Sequence, residues 1–219
     1  LEEVPITVTV VENKKKHAAV GIGYSTDMGE RISLTYDNLH FLGRDYKLKS
    51  SVVLQSRQRT AKADVYLPQR PDGTRDSFGV MYDRSEIEGE DTRVAGANFR
   101  RAWGTPRLEK YVSVEYLNEH NRIDGADGQQ SQALPVTFGI ITRHLNNRLA
   151  PTKGYALEAQ VGAAVEPVLT DKSFVRGYLK GIRFQPIGEK GDLILRGELG
   201  AVVSDGKEGV PSTVLFRTG

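Results

Sequence analysis

Four histidines, one glycine-bearing stretch and one aspartate-bearing loop are the residues of this chain whose types could do chemistry. His17, His40, His120 and His144 are scattered, with no metal-ligand spacing such as H-E-x-x-H. "GIGYST" (21–26) opens like a phosphate-binding loop, but no Lys-Ser/Thr pair ends it and no helical pattern follows. Asp124 and Asp127 in "NRIDGADGQQ" echo a calcium loop, without the bidentate Glu that would close it. No G-x-S-x-G elbow is present, and there is no cysteine for thiolate chemistry or a disulfide. The chain therefore reads as a non-enzyme without a catalytic residue, metal or cofactor.

The elements that carry these residues alternate. Ala18, Val20, Ile22 and Tyr24 are apolar, with Ala19, Gly21 and Gly23 between them. Ile32, Leu34 and Tyr36 repeat the period, as do Tyr46, Leu48, Val52 and Leu54, then Ala61, Ala63, Val65 and Leu67. Phe78, Val80 and Tyr82 follow, then Leu134, Val136, Phe138 and Ile140. Tyr155, Leu157, Ala159, Val161, Ala163 and Val165 make the longest run, and Leu193, Leu195, Leu199, Ala201 and Val203 the last. A period of two predicts strands with one apolar face. Residues 92–103 and 174–186 alternate less cleanly and are taken as strands because their neighbours need partners. Polar, Gly- and Pro-bearing turns such as "PQRPDGTRD", "WGTPR" and "RLAPTKG" separate about eleven strands.

The opposite parity decides between a soluble sandwich and a membrane barrel. It mixes Lys47, Lys62, Asp64, Glu158, Arg196 and Glu198 with many glycines. Small and charged residues interleaved suit a crowded polar lumen, where opposite charges pair across strands. Glycines inside strands (Gly21, Gly23, Gly79, Gly139, Gly162, Gly197, Gly200) predict bends or close backbone approach. Strand spacing fits the barrel better than a sandwich. Mean hydropathy is -0.42, and no apolar run is long enough for a transmembrane helix, a test that barrel strands never meet. Thirty basic residues against 28 acidic ones, spread along the chain, give no reason to expect nucleic acid.

Four stretches, in order, resemble one family. "HAAVGIGYSTDMGERISLTYDNLHFLGRD" (17–45) is similar to the opening of the barrel in the outer-membrane assembly factors that include BamA and TamA. "NNRLAPTKGY" (146–155) resembles their periplasmic turn, through Asn147, Pro151, Thr152, Gly154 and Tyr155. "GDLILRGELGAVVSDGKEGVPSTVLFRTG" (191–219) resembles a strand running into the long sixth extracellular loop. "LEEVPITVTVVENKKK" (1–16) is similar to the final strand of the last periplasmic POTRA domain. The combination looks nearest to TamA-type members.

The resemblance implies an all-β, antiparallel up-and-down transmembrane β-barrel. Residues 1–16 would end the last POTRA domain, and residues 17–219 would supply about the first eleven of sixteen strands. Five more strands and an Arg-Gly motif are expected to follow Gly219, and further POTRA domains to precede Leu1. It implies a Gram-negative outer membrane with the N-terminus periplasmic. The implied function is assembly and insertion of outer-membrane proteins, or autotransporter translocation. The first strand (Ala18, Ala19, Val20, Gly21, Ile22, Gly23, Tyr24) would be a weak seam that binds client strands. Implied partners are client outer-membrane proteins or autotransporters, outer-membrane lipid and lipopolysaccharide, and a periplasm-spanning TamB-like protein. A two-partner secretion pore and a passive barrel anchor of a larger protein are the alternatives within the superfamily.

Overall fold

The computed structural model describes residues 14–26, 28–87, 89–123, 128–188, 191–206 and 209–216. The expected POTRA strand therefore falls almost wholly outside the described residues, as do Asp124 and Asp127. The strands are β1 (Lys16–Ser25), β2 (Gly29–Phe41), β3 (Tyr46–Gln55), β4 (Gln58–Tyr66), β5 (Arg75–Ile87), β6 (Glu90–Gly104), β7 (Leu108–Ile123), β8 (Gln129–Ala133), β9 (Val136–Leu145), β10 (Gly154–Ala164), β11 (Phe174–Ile187) and β12 (Gly191–Ser204). One 3-10 turn, Ser212–Val214, follows. All strands join one antiparallel sheet in chain order, with β8 off the main path and paired to β7.

The sheet is thus eleven positions wide, as the turn spacing predicts. The twelfth strand arises because the eighth position is broken in two. β8 pairs with the end of β7 and β9 with its beginning. The break is at Leu134-Pro135, where proline has no N–H to give to a ladder. The Glu115 N–H still donates to the Pro135 carbonyl, at 3.1 Å. Leu134 instead donates its N–H to Thr170 Oγ1 at 3.0 Å. It therefore lies between strands rather than in the parity of Val136, Phe138 and Ile140. Leu67 likewise falls just beyond β4.

Cross-strand partners share a face. One face carries the run Ala18, Tyr36, Ser50, Ala63, Val80, Ala97 and Tyr116, each partnered with the next. The other carries Asp37, Lys49, Asp64, Gly79, Asn98 and Glu115. The polar face is the inner one. A single cavity of about 230 Å³ is lined by Met81 of β5, Glu115 and Leu117 of β7, Gly162 of β10 and Arg176 of β11. Strands spaced 4.7–4.9 Å apart would put β5 and β11 about 24 Å apart in a flat sheet. They meet across one small cavity, so the sheet curls with its polar face inward.

The apolar face is left open. Leu157 is 44% exposed, Val161 53%, Leu195 54% and Leu199 72%. No second layer of described residues covers them. The buried apolar side chains of the sheet face inward, among them Tyr111 and Leu117, as does buried Glu119. A soluble sheet buries its apolar face, and this one does the reverse, as a membrane barrel must. On β5 the outward apolar stretch Phe78, Val80, Tyr82 lies between Asp76 and Arg84. Eight residues of tilted strand make that band roughly 20 Å tall, close to the apolar height of outer-membrane barrels.

A strap closes over part of the inner face. The Ser212 and Thr213 N–H groups donate to the two carboxylate oxygens of buried Glu119 on β7, at 3.0 and 3.3 Å. Val210 and Val214 pack with Val94, Leu117, Ala133, Ala164 and Phe174. Phe216 then lies over Gly200 of β12, stacks on Tyr178 and receives the Arg176 guanidinium on its ring. A Cβ at Gly200 would collide with that ring. Gly139 has the same role under Tyr111, whose ring occupies the space a side chain would need. The expected close approaches are therefore present at these two positions, and also at Gly21, Gly79 and Gly162, where an added Cβ would meet the side chains of Ser33, Asp64 and Thr137. Gly23 and Gly197 have nothing near them.

Val161→Arg puts a cation on the open face near mid-height. It should destabilise the membrane-folded protein by roughly 2–4 kcal/mol in urea titrations from lipid vesicles, while inward Gln160→Arg costs far less. Glu119→Ala removes a charged acceptor from two N–H groups, each bond contributing about 1.5–3 kcal/mol. Hydrogen exchange at 212–213 should accelerate tenfold or more, with strand amides unchanged.

Candidate functional site

β1 is one terminal strand of the sheet. Its ten residues pair with β2 from Lys16↔Asn38 to Ser25↔Gly29 and with nothing else among the described residues. Outward Val20, Ile22 and Tyr24 are 73%, 88% and 76% exposed. Ala19, Gly21 and Gly23 lie on the inner face. A side chain at Gly21 would press on Ser33, whose Oγ donates to the Gly21 carbonyl at 3.4 Å. The inner half of this strand therefore buries almost no side chain. A strand edge without a partner is a template for pairing with another strand.

The turn at 146–153 is held by two asparagines. Asn146 Oδ1 accepts the N–H groups of Thr152 and Lys153, at 3.2 and 3.0 Å, and its Nδ2 donates to Thr152 Oγ1 at 2.8 Å. Asn147 Oδ1 accepts the N–H groups of Leu149 and Ala150, at 2.9 and 3.2 Å. Gly154 has φ 120°, and a Cβ there would strike the His144 carbonyl. Tyr155 stacks on His144 at 5.0 Å. Pro151 leads into Thr152 at the exposed tip. Asn146 makes more of these bonds than Asn147, and the Asn-Asn doublet was its only signal in the sequence. The turn between β4 and β5 is tied similarly: the Asp72 carboxylate accepts the Thr74 N–H at 2.9 Å, which holds its carboxyl below the usual range.

All six charges of the polar parity lie on the inner face, but not at one site. Lys47 and Asp64 line a cavity of about 640 Å³ together with Lys49, Tyr66, Arg75, Arg100 and Glu109. Glu158 accepts from Gln160 Nε2 at 2.7 Å and from the Tyr111 hydroxyl at 3.3 Å. Glu198 accepts from Arg196 and from the Tyr178 hydroxyl at 2.9 Å, with Lys180 Nζ at 3.8 Å. Lys62 has no side-chain partner among the described residues. The strongest inner hub was missed: Glu109 on β7 meets Arg75 of β5 at 2.6 Å, Arg100 of β6 at 3.2 Å and Arg143 of β9 at 3.9 Å. Arg100 also covers the Tyr111 ring at 3.6 Å. These partners lie on four strands and meet only through register.

The arrangement can line a wet passage and offer a strand edge. His40 pairs with Asp45 at 3.2 Å and His144 stacks on Tyr155, so those two histidines have local structural partners. No metal-holding group of His, Cys, Asp or Glu occurs among the described residues.

Comparison with known proteins agrees with this geometry. No curated protein matches the chain by sequence. Among solved structures, the crystal structure of BamA from Haemophilus ducreyi lacking POTRA domains 1-3 superposes with a TM-score of 0.79 at 16% identity. The match covers 95% of this chain and 45% of that one, so the chain spans less than half of that structure's length. The shared feature is the fold, an antiparallel up-and-down barrel wall. The Omp85 superfamily domain matches residues 14–219, which is every described residue of the sheet and the strap. The chain belongs to the Omp85 superfamily, whose barrels are non-enzymatic proteins of the bacterial outer membrane.

Proposed function

We propose that this chain is part of a machine that inserts client proteins into the Gram-negative outer membrane, with β1 as the strand that receives them. In this reading the turns at 42–45, 67–74, 105–107 and 146–153 face the periplasm, together with the N-terminus. The loop 165–173 and the strap face outward. Residues 1–16 would end a POTRA domain, and residues 17–219 would be the first part of the barrel, closed by strands that follow. The observation that carries the proposal is the state of β1. Its inner parity is Ala19, Gly21 and Gly23, with open space where a Gly23 side chain would stand, so the strand offers a neighbour little side-chain packing.

The physical steps follow from the bilayer. Inside hydrocarbon, every backbone N–H and C=O must find a partner, so a strand cannot cross alone. A closed barrel satisfies this at its seam. A seam that contributes little side-chain packing opens at low cost and exposes one ladder of donors and acceptors. An incoming client strand satisfies that ladder by β-augmentation, using main-chain bonds that do not depend on its sequence. This fits many clients and requires no nucleotide. Outer-membrane proteins or autotransporters are the client class. A TamB-like partner spanning the periplasm goes with the TamA-type member of the family that the turn and loop motifs resemble.

The chain has no cysteine, so an introduced thiol is unique within it. A cysteine at Ile22 or Gly23 of the full-length protein should form a disulfide with a cysteine in the terminal strand of a stalled client. Cysteines at outward Leu179 and Leu157, in the middle of the wall, should give none. Crosslinks confined to the mid-wall positions would defeat the seam proposal.

A further inference from the structure

At the upper ends of β4 to β7, opposite to the turn at 146–153, the outward face carries a row of basic side chains. Arg59, Arg84, Arg93 and His120 are successive cross-strand partners. One position further along, Glu86, Asp91 and Arg122 form the next outward row. Like charges directly opposite one another destabilise a sheet. Here three arginines stand side by side, and the chain itself offsets them only in part. Asp91 accepts from Arg84 Nη2 at 3.0 Å and from Arg93 Nη2 at 2.9 Å, and Glu86 stands 4.0 Å from Arg84. Arg59, His120 and Arg122 make no side-chain hydrogen bond or ion pair among the described residues. Four arginines face two carboxylates, and the unpartnered cations are at the two ends.

The surface next to this row is apolar. Tyr82, Val80 and Phe78 continue down β5, 45%, 57% and 49% exposed. An occupant that matches both must carry anionic groups at the height of the row and hydrocarbon beneath it, which describes a lipid. The row spans about 14 Å at ordinary strand spacing. A head group with two separate phosphates can reach both unpartnered ends, and a single phosphodiester cannot. Guanidinium groups bind phosphate oxygens in bidentate fashion.

We infer that this row binds the phosphates of lipopolysaccharide in the outer leaflet, with its acyl chains against Phe78, Val80 and Tyr82. The inference rests on the reading that the apolar face meets lipid and that this end is the external one.

The test uses the full-length protein in detergent, with purified lipid A bearing two phosphates, phosphatidylglycerol and inorganic phosphate as separate probes in native mass spectrometry and competition binding. The double variant Arg59→Gln/Arg122→Gln should lose lipid A affinity by at least about fivefold, and phosphatidylglycerol affinity by less than about twofold. Lys110→Gln, outward at the opposite rim, should leave lipid A binding at the wild-type level. Unchanged lipid A binding in the double variant overturns the inference. So does an equal loss of both lipids, or displacement of lipid A by inorganic phosphate at matched concentration. Flotation of the wild type with vesicles separates the two readings. Failure to float defeats the membrane assignment itself, whereas flotation together with wild-type lipid A binding by the double variant defeats only the phosphate row.

Discussion

Hydrocarbon offers no hydrogen bonds, and the architecture follows from that single deprivation. Each backbone amide must be paired within the protein, so a long run of consecutive antiparallel hairpins is one of the few arrangements allowed. Sidedness then follows from the period of two. One parity meets lipid and can be any apolar residue that tolerates it. The other parity is enclosed, and its charges must find each other. Glu109 among Arg75, Arg100 and Arg143, and Glu198 between Arg196, Tyr178 and Lys180, are local solutions to that requirement. Glycines at 139 and 200 make the room that Tyr111 and Phe216 need on the crowded side.

The same deprivation makes a terminal strand consequential. In water, an exposed edge is solvated and the cost of leaving it unpaired is small. In a membrane it is large, so a seam either closes or recruits another strand. β1 has little side-chain mass on its inner parity and outward residues that only lipid or another strand would cover. Wall strands such as β7 and β10 have neighbours on both sides and dense inward contacts. The proposed division between a firm wall and a yielding seam therefore lies in side-chain volume, since backbone pairing is available to both.

How much of this was legible in the sequence depended on whether a strand's two parities stayed chemically distinct. Residues 155–165 were plain, because the outward parity is apolar throughout and the inward one carries Glu158 and Gln160. Residues 108–123 form the longest strand, yet their alternation is blurred. Tyr111 and Leu117 face inward and are apolar, because Gly139 and the strap give them something to pack against. Residues 92–103 were blurred by Arg101, which faces outward at the rim and binds Asp76 at 2.8 Å. The break at Leu134-Pro135 was marked by its proline, but the alternation of Leu134 with Val136 hid it. Of the site, the turn and the first strand could be read from local motifs. The Glu109 hub and the grip of Glu119 on residues 212–213 could not, because their partners lie tens of residues away and only register brings them together.

That grip has a mechanical consequence. A hoop keeps its curvature only while its ends are joined, and relaxes when cut. The segment 210–216 works instead as a cross-brace: it reaches from the end of β12 across to β7, and its apolar side chains sit on residues contributed by β5 through β11. Curvature in that sector is thereby fixed from within and does not depend on closure. Parting the ring at its first strand would leave the braced arc bent and let only β1 to β4 swing. The compliance needed to admit a newcomer would be confined to one flank, while the polar interior of the rest kept its shape.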